Sequence, residues 1–228
     1  RSTLFPYTTL FRSSVAGLEY IDSVTACITY AFSTDPLWSV ALAGGDGRTD
    51  HHEAYWRFFV EGAMRFGAVH QWDSGAAVSI WVPPNESDLT PALKVDSAAL
   101  ITRSLDAERI TALNELYQRF ETSRSGAPGP HAYLSLLATH REYRDQGIGQ
   151  ALLAANLREW DDLGIPTYLE STNPNNNHRY LRAGFTPIGG FDAVLDNARV
   201  TTMWRPVAGP DWARISQHRG HLAPIEID

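Results

Sequence analysis

The chain has 228 residues, 43% of them hydrophobic, and a formal net charge of −7, which suits one domain with a sizeable core and a small elaboration. The negative balance argues against nucleic acid as the main partner, because a phosphate-binding face needs clustered arginine and lysine. The single cysteine, Cys27, excludes an internal disulfide and a cysteine zinc cluster.

Residues 1–13 lack an initiator methionine and repeat Arg-Ser and Thr-Leu-Phe in near mirror order. They read as a non-native, adapter-like segment; the other reading is a genuine, frayed terminus. Residues 14–207 are then the domain. Leu18, Ile21, Val24, Thr25, Ile28 and Ala31 make a helical stripe over 17–33, and Cys27 within it reads as core filler. Phe32 to Trp38 end that helix, and Gly44 to Gly47 make a turn. A second amphipathic helix spans 52–65 with Trp56, Phe59 and Met64. Its leading His51-His52-Glu53 lacks the H-E-x-x-H spacing of a metal site, so no metal is expected, and the group reads as a helix start on a solvated face.

Residues 67–72 and 77–82 flank Asp73-Ser74-Gly75, a hairpin signal. Pro83-Pro84 ends the second strand. A long, mostly helical insert follows over 88–122, with breaks near Pro91 and Ser104 and with Leu113, Leu116, Tyr117 and Phe120 facing inward. Residues 123–130 are a Ser/Gly/Pro loop. No run reaches the roughly 18 apolar residues of a membrane span and no secretory signal is evident. A soluble cytoplasmic protein is expected, and there the sequon Asn85-Glu86-Ser87 carries no meaning.

Residues 133–153 read as strand, turn and helix. Residues 133–139 are apolar on both faces, which suits an interior strand. The polar turn ends in Gly147 and Gly149, and Gly149, Leu152, Leu153, Leu157, Trp160 and Leu163 then recur at helical spacing until Gly164 and Pro166 stop the helix. The first N–H groups of a helix have no internal partners and sit at its positive end. Glycines let a phosphate approach them, and Arg144 adds a fixed charge. Residues 144–150 (Arg144, Asp145, Gln146, Gly147, Ile148, Gly149, Gln150) are therefore expected to bind a pyrophosphate; the alternative is that the glycines only make a tight turn. Leu152 breaks the G-x-G-x-x-G dinucleotide fingerprint, and Lys94, the only lysine, lies far from any P-loop.

What remains, Arg144-Asp145-Gln146-Gly147-Ile148-Gly149, resembles the acetyl-CoA signature R/Q-x-x-G-x-G/A of the Gcn5-related N-acetyltransferases (GNAT). Residues 168–173 are similar to that family's fifth strand, and residues 177–185 to its next helix, with Tyr180 four residues before Gly184. The strong match covers about residues 131–205, weaker similarity reaches back to about residue 17, and the texture is nearest to the puromycin N-acetyltransferase branch. The resemblance implies an α+β fold with a mixed, mostly antiparallel central sheet flanked by helices. It implies acetyl-CoA as cofactor and a small-molecule amine as acceptor, an antibiotic or nucleoside-like compound among the options. A protein N-acetyltransferase and a non-catalytic acyl-CoA sensor are the rival readings.

Acetyl transfer needs a neutral amine, donors for the tetrahedral oxyanion and a proton for the departing thiolate. In the family the fourth and fifth strands part, and pantetheine lies along the fourth like an added strand. Carried onto this chain, Leu137, Ala138 and Thr139 offer backbone groups to pantetheine, and Tyr180 falls on the general-acid tyrosine; the other reading of Tyr180 is a packing aromatic. Asn173 and Asn177 are candidates either for pantetheine or for helix capping. Glu170 is the candidate base or anchor for a cationic amine, against an exposed strand carboxylate, with His140 and Glu142 as substitutes. Phe32, Trp38, Trp56, Trp81 and Tyr133 read as core, or as a wall for an aromatic amine. After this unit, 186–194 and 200–204 read as antiparallel strands joined by a turn at Asp196-Asn197. The tail 208–228 shows little periodicity, and a monomer and a homodimer both remain open.

Overall fold

The computed structural model describes residues 13–72 and 75–209. The tail beyond Gly209, nearly all of the adapter-like segment and the tip of the first hairpin lie outside the described residues. The elements are β1 (Ser13–Val15), α1 (Ile21–Phe32), α2 (Trp38–Ala41), α3 (His52–Met64), β2 (Val69–Trp72), β3 (Ala77–Val82), α4 (Pro91–Ser104), α5 (Ala107–Ser125), β4 (Ala132–Thr139), α6 (Ile148–Asp162), β5 (Thr167–Ser171), α7 (Asn177–Arg182), β6 (Thr186–Asp192) and β7 (Arg199–Arg205), with short 3₁₀ turns before α1, α6 and α7. Among the described residues, seven strands form one sheet in the order β1-β2-β3-β4-β5-β7-β6. Every neighbouring pair is antiparallel except β4 and β5. A parallel pair needs a crossover, and α6 supplies it.

The sheet carries a core on each face. Val69, Ile80, Leu136 and Ala138 pack with α1, α3 and the α4–α5 pair. Trp81, Leu134, Leu169 and Met203 pack with Leu153 and Leu157 of α6 and with Phe185. Leu134 and Leu136 would share a face of a regular strand. They do not, because Ile80 pairs with Leu136 while the next residue, Trp81, pairs with Leu134, leaving Ser135 as an extra residue. This bulge bends β4 and sends Leu134 to the α6 side and Leu136 to the α1 side. The apolar pattern on both faces of 133–139 thus has a local cause: Tyr133, Ser135, Leu137 and Thr139, only partly buried, line a cleft, and Leu137 also packs against the α6-side core.

The insert divides as its sequence suggests. Thr90 and Asp106 cap α4 and α5 through their side chains, accepting from Leu93 N at 3.2 Å and Arg109 N at 2.9 Å. Leu113, Leu116 and Phe120 are buried, and Tyr117 bonds the Tyr55 hydroxyl of α3. α6 ends as a Schellman motif: Gly164, at φ +69°, and Ile165 donate to Asp161 O and Trp160 O. Leu163 lies outside that stripe and is 66% exposed, because the chain has already turned away. The His51–His52 pair is not on a solvated face. Both rings are buried and both Nε2 atoms reach the Leu42 carbonyl oxygen, at 2.8 and 2.9 Å; only Glu53 is exposed.

Arg205 of β7 holds Asp161 of α6 with both terminal nitrogens, at 2.8 and 2.6 Å, almost out of solvent. Asp161 also accepts from Ala208 N at 2.8 Å. Replacing Asp161 with alanine removes the carboxylate from a buried guanidinium, so Asp161→Ala is expected to lower the unfolding free energy by about 3–5 kcal/mol, read by urea melts monitored through tryptophan fluorescence.

Candidate functional site

Where β4 and β5 stop pairing, the site begins. Their ladder runs Ala132–Thr167, Tyr133–Tyr168 and Leu134–Leu169 and then ends. β4 continues on β3 as far as Thr139, and β5 continues on β7 through Ser171. The strands therefore diverge from Ser135 and Glu170 onward, leaving the β5-facing backbone edge of residues 135–139 without a ladder. A cleft of about 840 Å³ fills the gap.

One wall is the turn before α6. Asp145 and Gly147 sit at φ +63° and +76°, a left-handed geometry that glycine adopts freely. Gly147 is the N-cap of α6, and open space surrounds the position a Cβ would take. Gly149 differs: a Cβ there would collide with Thr139 Oγ1, so this glycine lets the helix approach β4. Arg144 Nε donates to the Thr139 carbonyl at 3.4 Å. Arg179 and Arg182 of α7 join Arg144 in lining the cleft, beside His178 and Asp145.

Of the expected cofactor residues, Leu137, Ala138, Thr139, Arg144, Asp145, Gly147, Ile148, Gly149, Gln150 and Asn173 line the cleft. Two do not. Gln146 folds back to donate to Glu142 O at 2.9 Å, and Asn177 donates to Thr201 Oγ1 of β7 at 3.1 Å. Asn173 performs the capping alternative, accepting from Asn175 N at 3.1 Å. His140 and Glu142 stay outside the lining.

Both expected catalytic residues face the cleft. The Tyr180 ring packs edge-on to Phe185 at 6.1 Å. Burial, then the charge of Asp35, pushes its phenol up to about 12 against the pull of Arg179, so it stays protonated. Glu170 is the first β5 residue beyond the fork. Its carboxylate oxygens are shut off from solvent without a hydrogen bond of normal geometry. Burial raises its pKa to about 7, although Arg124 and the Tyr133 and Tyr168 hydroxyls favour the charged form. It is not the exposed strand carboxylate of the rival reading.

Sequence reasoning missed Asp35, Asp88 and Arg124. Asp35 Oδ1 accepts from Leu37 N and Trp38 N at 3.0 and 3.1 Å, and Oδ2 accepts from Thr172 Oγ1 at 2.9 Å; burial raises its pKa. The Asp35-Pro36 step after an apolar helix is a capping signal that was available in the sequence. Arg124 and Asp88 carry no local pattern, because tertiary packing alone brings them together. Phe32, Trp38, Trp56, Phe59, Tyr117 and Phe120 wall the same cleft, whereas Trp81 is wholly buried in the α6 core. No group of three or more metal-ligating side chains occurs among the described residues, and no helix there is long and apolar enough to cross a membrane.

Parted strands beside a glycine turn that opens a helix, with a buried carboxylate and a protonated phenol on the same cleft, are parts that acyl transfer can use. Residues 66–185 match the model of the acetyltransferase (GNAT) family, so the chain belongs to that family and is an N-acetyltransferase. Solved structures share the fold at low identity. A histone acetyltransferase HPA2 and related acetyltransferase of Corynebacterium glutamicum is 21% identical with a TM-score of 0.60, covering 88% of this chain and 98% of its own. Arylalkylamine N-acetyltransferase 2 of Aedes aegypti is 11% identical with a TM-score of 0.61, covering 88% and 100%. The polyamine N-acetyltransferase of Drosophila melanogaster, which forms N-acetylagmatine, is 13% identical with a TM-score of 0.58, covering 86% and 99%.

Proposed function

We propose that this protein transfers the acetyl group of acetyl-CoA directly to a primary amine of a small molecule in a ternary complex, in the cytoplasm. The observation that carries this is the fork itself: the buried Glu170 and the anion turn open on one cleft. Acetyl-CoA, when bound, supplies the activated acyl group as a thioester. The residues present fit it. The free β4 edge at Leu137, Ala138 and Thr139 suits the amide groups of pantetheine, and a backbone N–H there polarises the acyl oxygen. Residues 144–150, apart from the Gln146 side chain that folds back on Glu142, would hold the pyrophosphate, with Arg179 and Arg182 adding charge. Glu170 takes one proton of the ammonium acceptor, Tyr180 would donate to the departing sulfur, and the second amine proton would return to the Tyr180 oxygen as the amide forms.

The acceptor end is aromatic and rich in carboxylates, which suits a cation on an apolar or aromatic body. Solved relatives named for arylalkylamines and agmatine are in keeping with this. The nearness in sequence texture to the puromycin branch supports an antibiotic or nucleoside-like amine within the class. Helix α5 walls this end with Tyr117 and Phe120, which favours small acceptors over a peptide. Thiol release from acetyl-CoA over a panel of small amines and basic peptides tests the proposal. Release with small amines supports it, and release with peptides alone, or with none, overturns it.

The pH dependence follows from Glu170. A base with a pKa of about 7 is protonated and inactive below that value, so kcat/KM is expected to fall tenfold per unit as pH drops below 7. Glu170→Gln should abolish this limb and lower kcat by about 10²- to 10⁴-fold. If the limb survives in Glu170→Gln and disappears in Asp35→Asn, the base is Asp35.

A further inference from the structure

We infer that Arg124, contributed by the helical insert, is a positioning residue for the reaction: it holds the Glu170 carboxylate at the fork in its charged, proton-accepting form. This rests on Glu170 being the base. Arg124 stands near the end of α5, outside the strand–turn–helix unit that carries the family motif. Its guanidinium carbon lies 4.1 Å from the centre of the Tyr133 ring. Tyr133 is the β4 residue directly before the last β4–β5 pair, and its hydroxyl faces Glu170. Asp88, from the loop before α4, approaches Arg124 at 3.7 Å and accepts from Ser135 Oγ at 2.6 Å. Ser135 is the bulge residue that opens the fork. The insert thus reaches the fork twice, once through each charge.

Glu170 shares its cleft with Arg124 from α5, Asp88 from the loop and Tyr133 from β4, and these three with Tyr168 from β5 itself are the groups that act on its carboxylate. Arg124 is the one cation among them. Its ion pair with Asp88 is long, and its Nε is buried without a hydrogen-bond partner among the described residues. The guanidinium is therefore not consumed by a tight local pair, and its field acts on the carboxylate beyond. A guanidinium anchored flat on an aromatic ring stays charged and fixed in place. A purely structural Arg124 would act on folding, and an arginine that reads an acidic group on the acceptor would act on KM. Only a residue that sets the charge of Glu170 moves the acid limb of the pH profile.

The test compares the acid limb of kcat/KM for the parent, Arg124→Gln, Arg124→Lys and Glu170→Gln with one accepted amine. Removing a nearby positive charge makes a carboxylate easier to protonate, so Arg124→Gln should move the limb to higher pH by about one unit. Arg124→Lys, which keeps the charge, should stay within about 0.3 unit of the parent on the same reasoning, and Arg124→Met, which also removes the charge and should move the limb as glutamine does, serves if the glutamine variant fails to fold. With a limb that vanishes in Glu170→Gln, an unmoved limb in Arg124→Gln overturns the role of Arg124 and leaves Glu170 as base. So does a higher acceptor KM in both arginine variants with the limb unmoved. A limb that persists in Glu170→Gln overturns the base assignment and this inference with it.

Discussion

Tyr180→Phe is expected to lower kcat and kcat/KM together by about 10²- to 10⁴-fold while leaving acetyl-CoA affinity nearly unchanged. Phenylalanine keeps the ring and its edge-on contact with Phe185 and removes only the hydroxyl. That hydroxyl faces the cleft, and its pKa, pushed to about 12, keeps the proton in place across the working range. Asp35 contributes to this by disfavouring a second negative charge beside it. An interaction made only as the thiolate departs contributes to the transition state and not to ground-state binding, so KM stays level. If water protonates the thiolate in its place, the loss falls toward the lower end of the range. A tyrosine that merely packs predicts a near-normal rate per folded molecule with a lower Tm. Steady-state kinetics with one accepted amine, beside a melt of both proteins, separates the two. Turnover within about twofold of the parent removes Tyr180 from the mechanism.

What could be read from the sequence was whatever local chemistry repeats or punctuates. The breaks near Pro91 and Ser104, the Gly164 stop and the α6 stripe are each written in a few consecutive residues, and the helices follow them closely. The family resemblance over 144–149 and 168–185 points to Glu170 and Tyr180, and both line one cleft. Properties that depend on residues far apart were not legible. Periodicity showed an apolar β4 without showing that the Ser135 bulge divides its side chains between two cores and a cleft wall. His51 and His52 look solvated in a polar run, yet the Leu42 carbonyl, nine and ten residues earlier, draws both inside. Asn177 fits the ligand pattern but finds Thr201 on a strand that had no visible link to it. Asp88 opens an insert whose sequence advertises only helices, and Arg124 falls in what reads as the Ser/Gly/Pro loop after it, although α5 runs on to Ser125.

Gly147→Val is expected to abolish acetyl-CoA binding as measured by calorimetry. The parent should bind at about micromolar affinity and gain roughly 2.7 kcal/mol of stability at a hundredfold excess of ligand over Kd. Two effects act at this position. Gly147 holds φ +76°, where a β-branched residue is strained, so the turn and the N–H groups at the start of α6 must reorient. The space a Cβ would occupy is open in the protein, and that is the space a pyrophosphate needs in order to reach those N–H groups. Gly147→Asn separates them, because asparagine tolerates the left-handed region. It should fold with a Tm close to the parent's and still lose binding, since its side chain enters the anion's space. Valine should lose binding and also melt lower. Parent-like affinity in the asparagine variant would show that only the backbone conformation matters here. Parent-like affinity in the valine variant would remove the turn from the coenzyme site altogether, and with it the assignment of Arg144 to Gln150 as the pyrophosphate cradle.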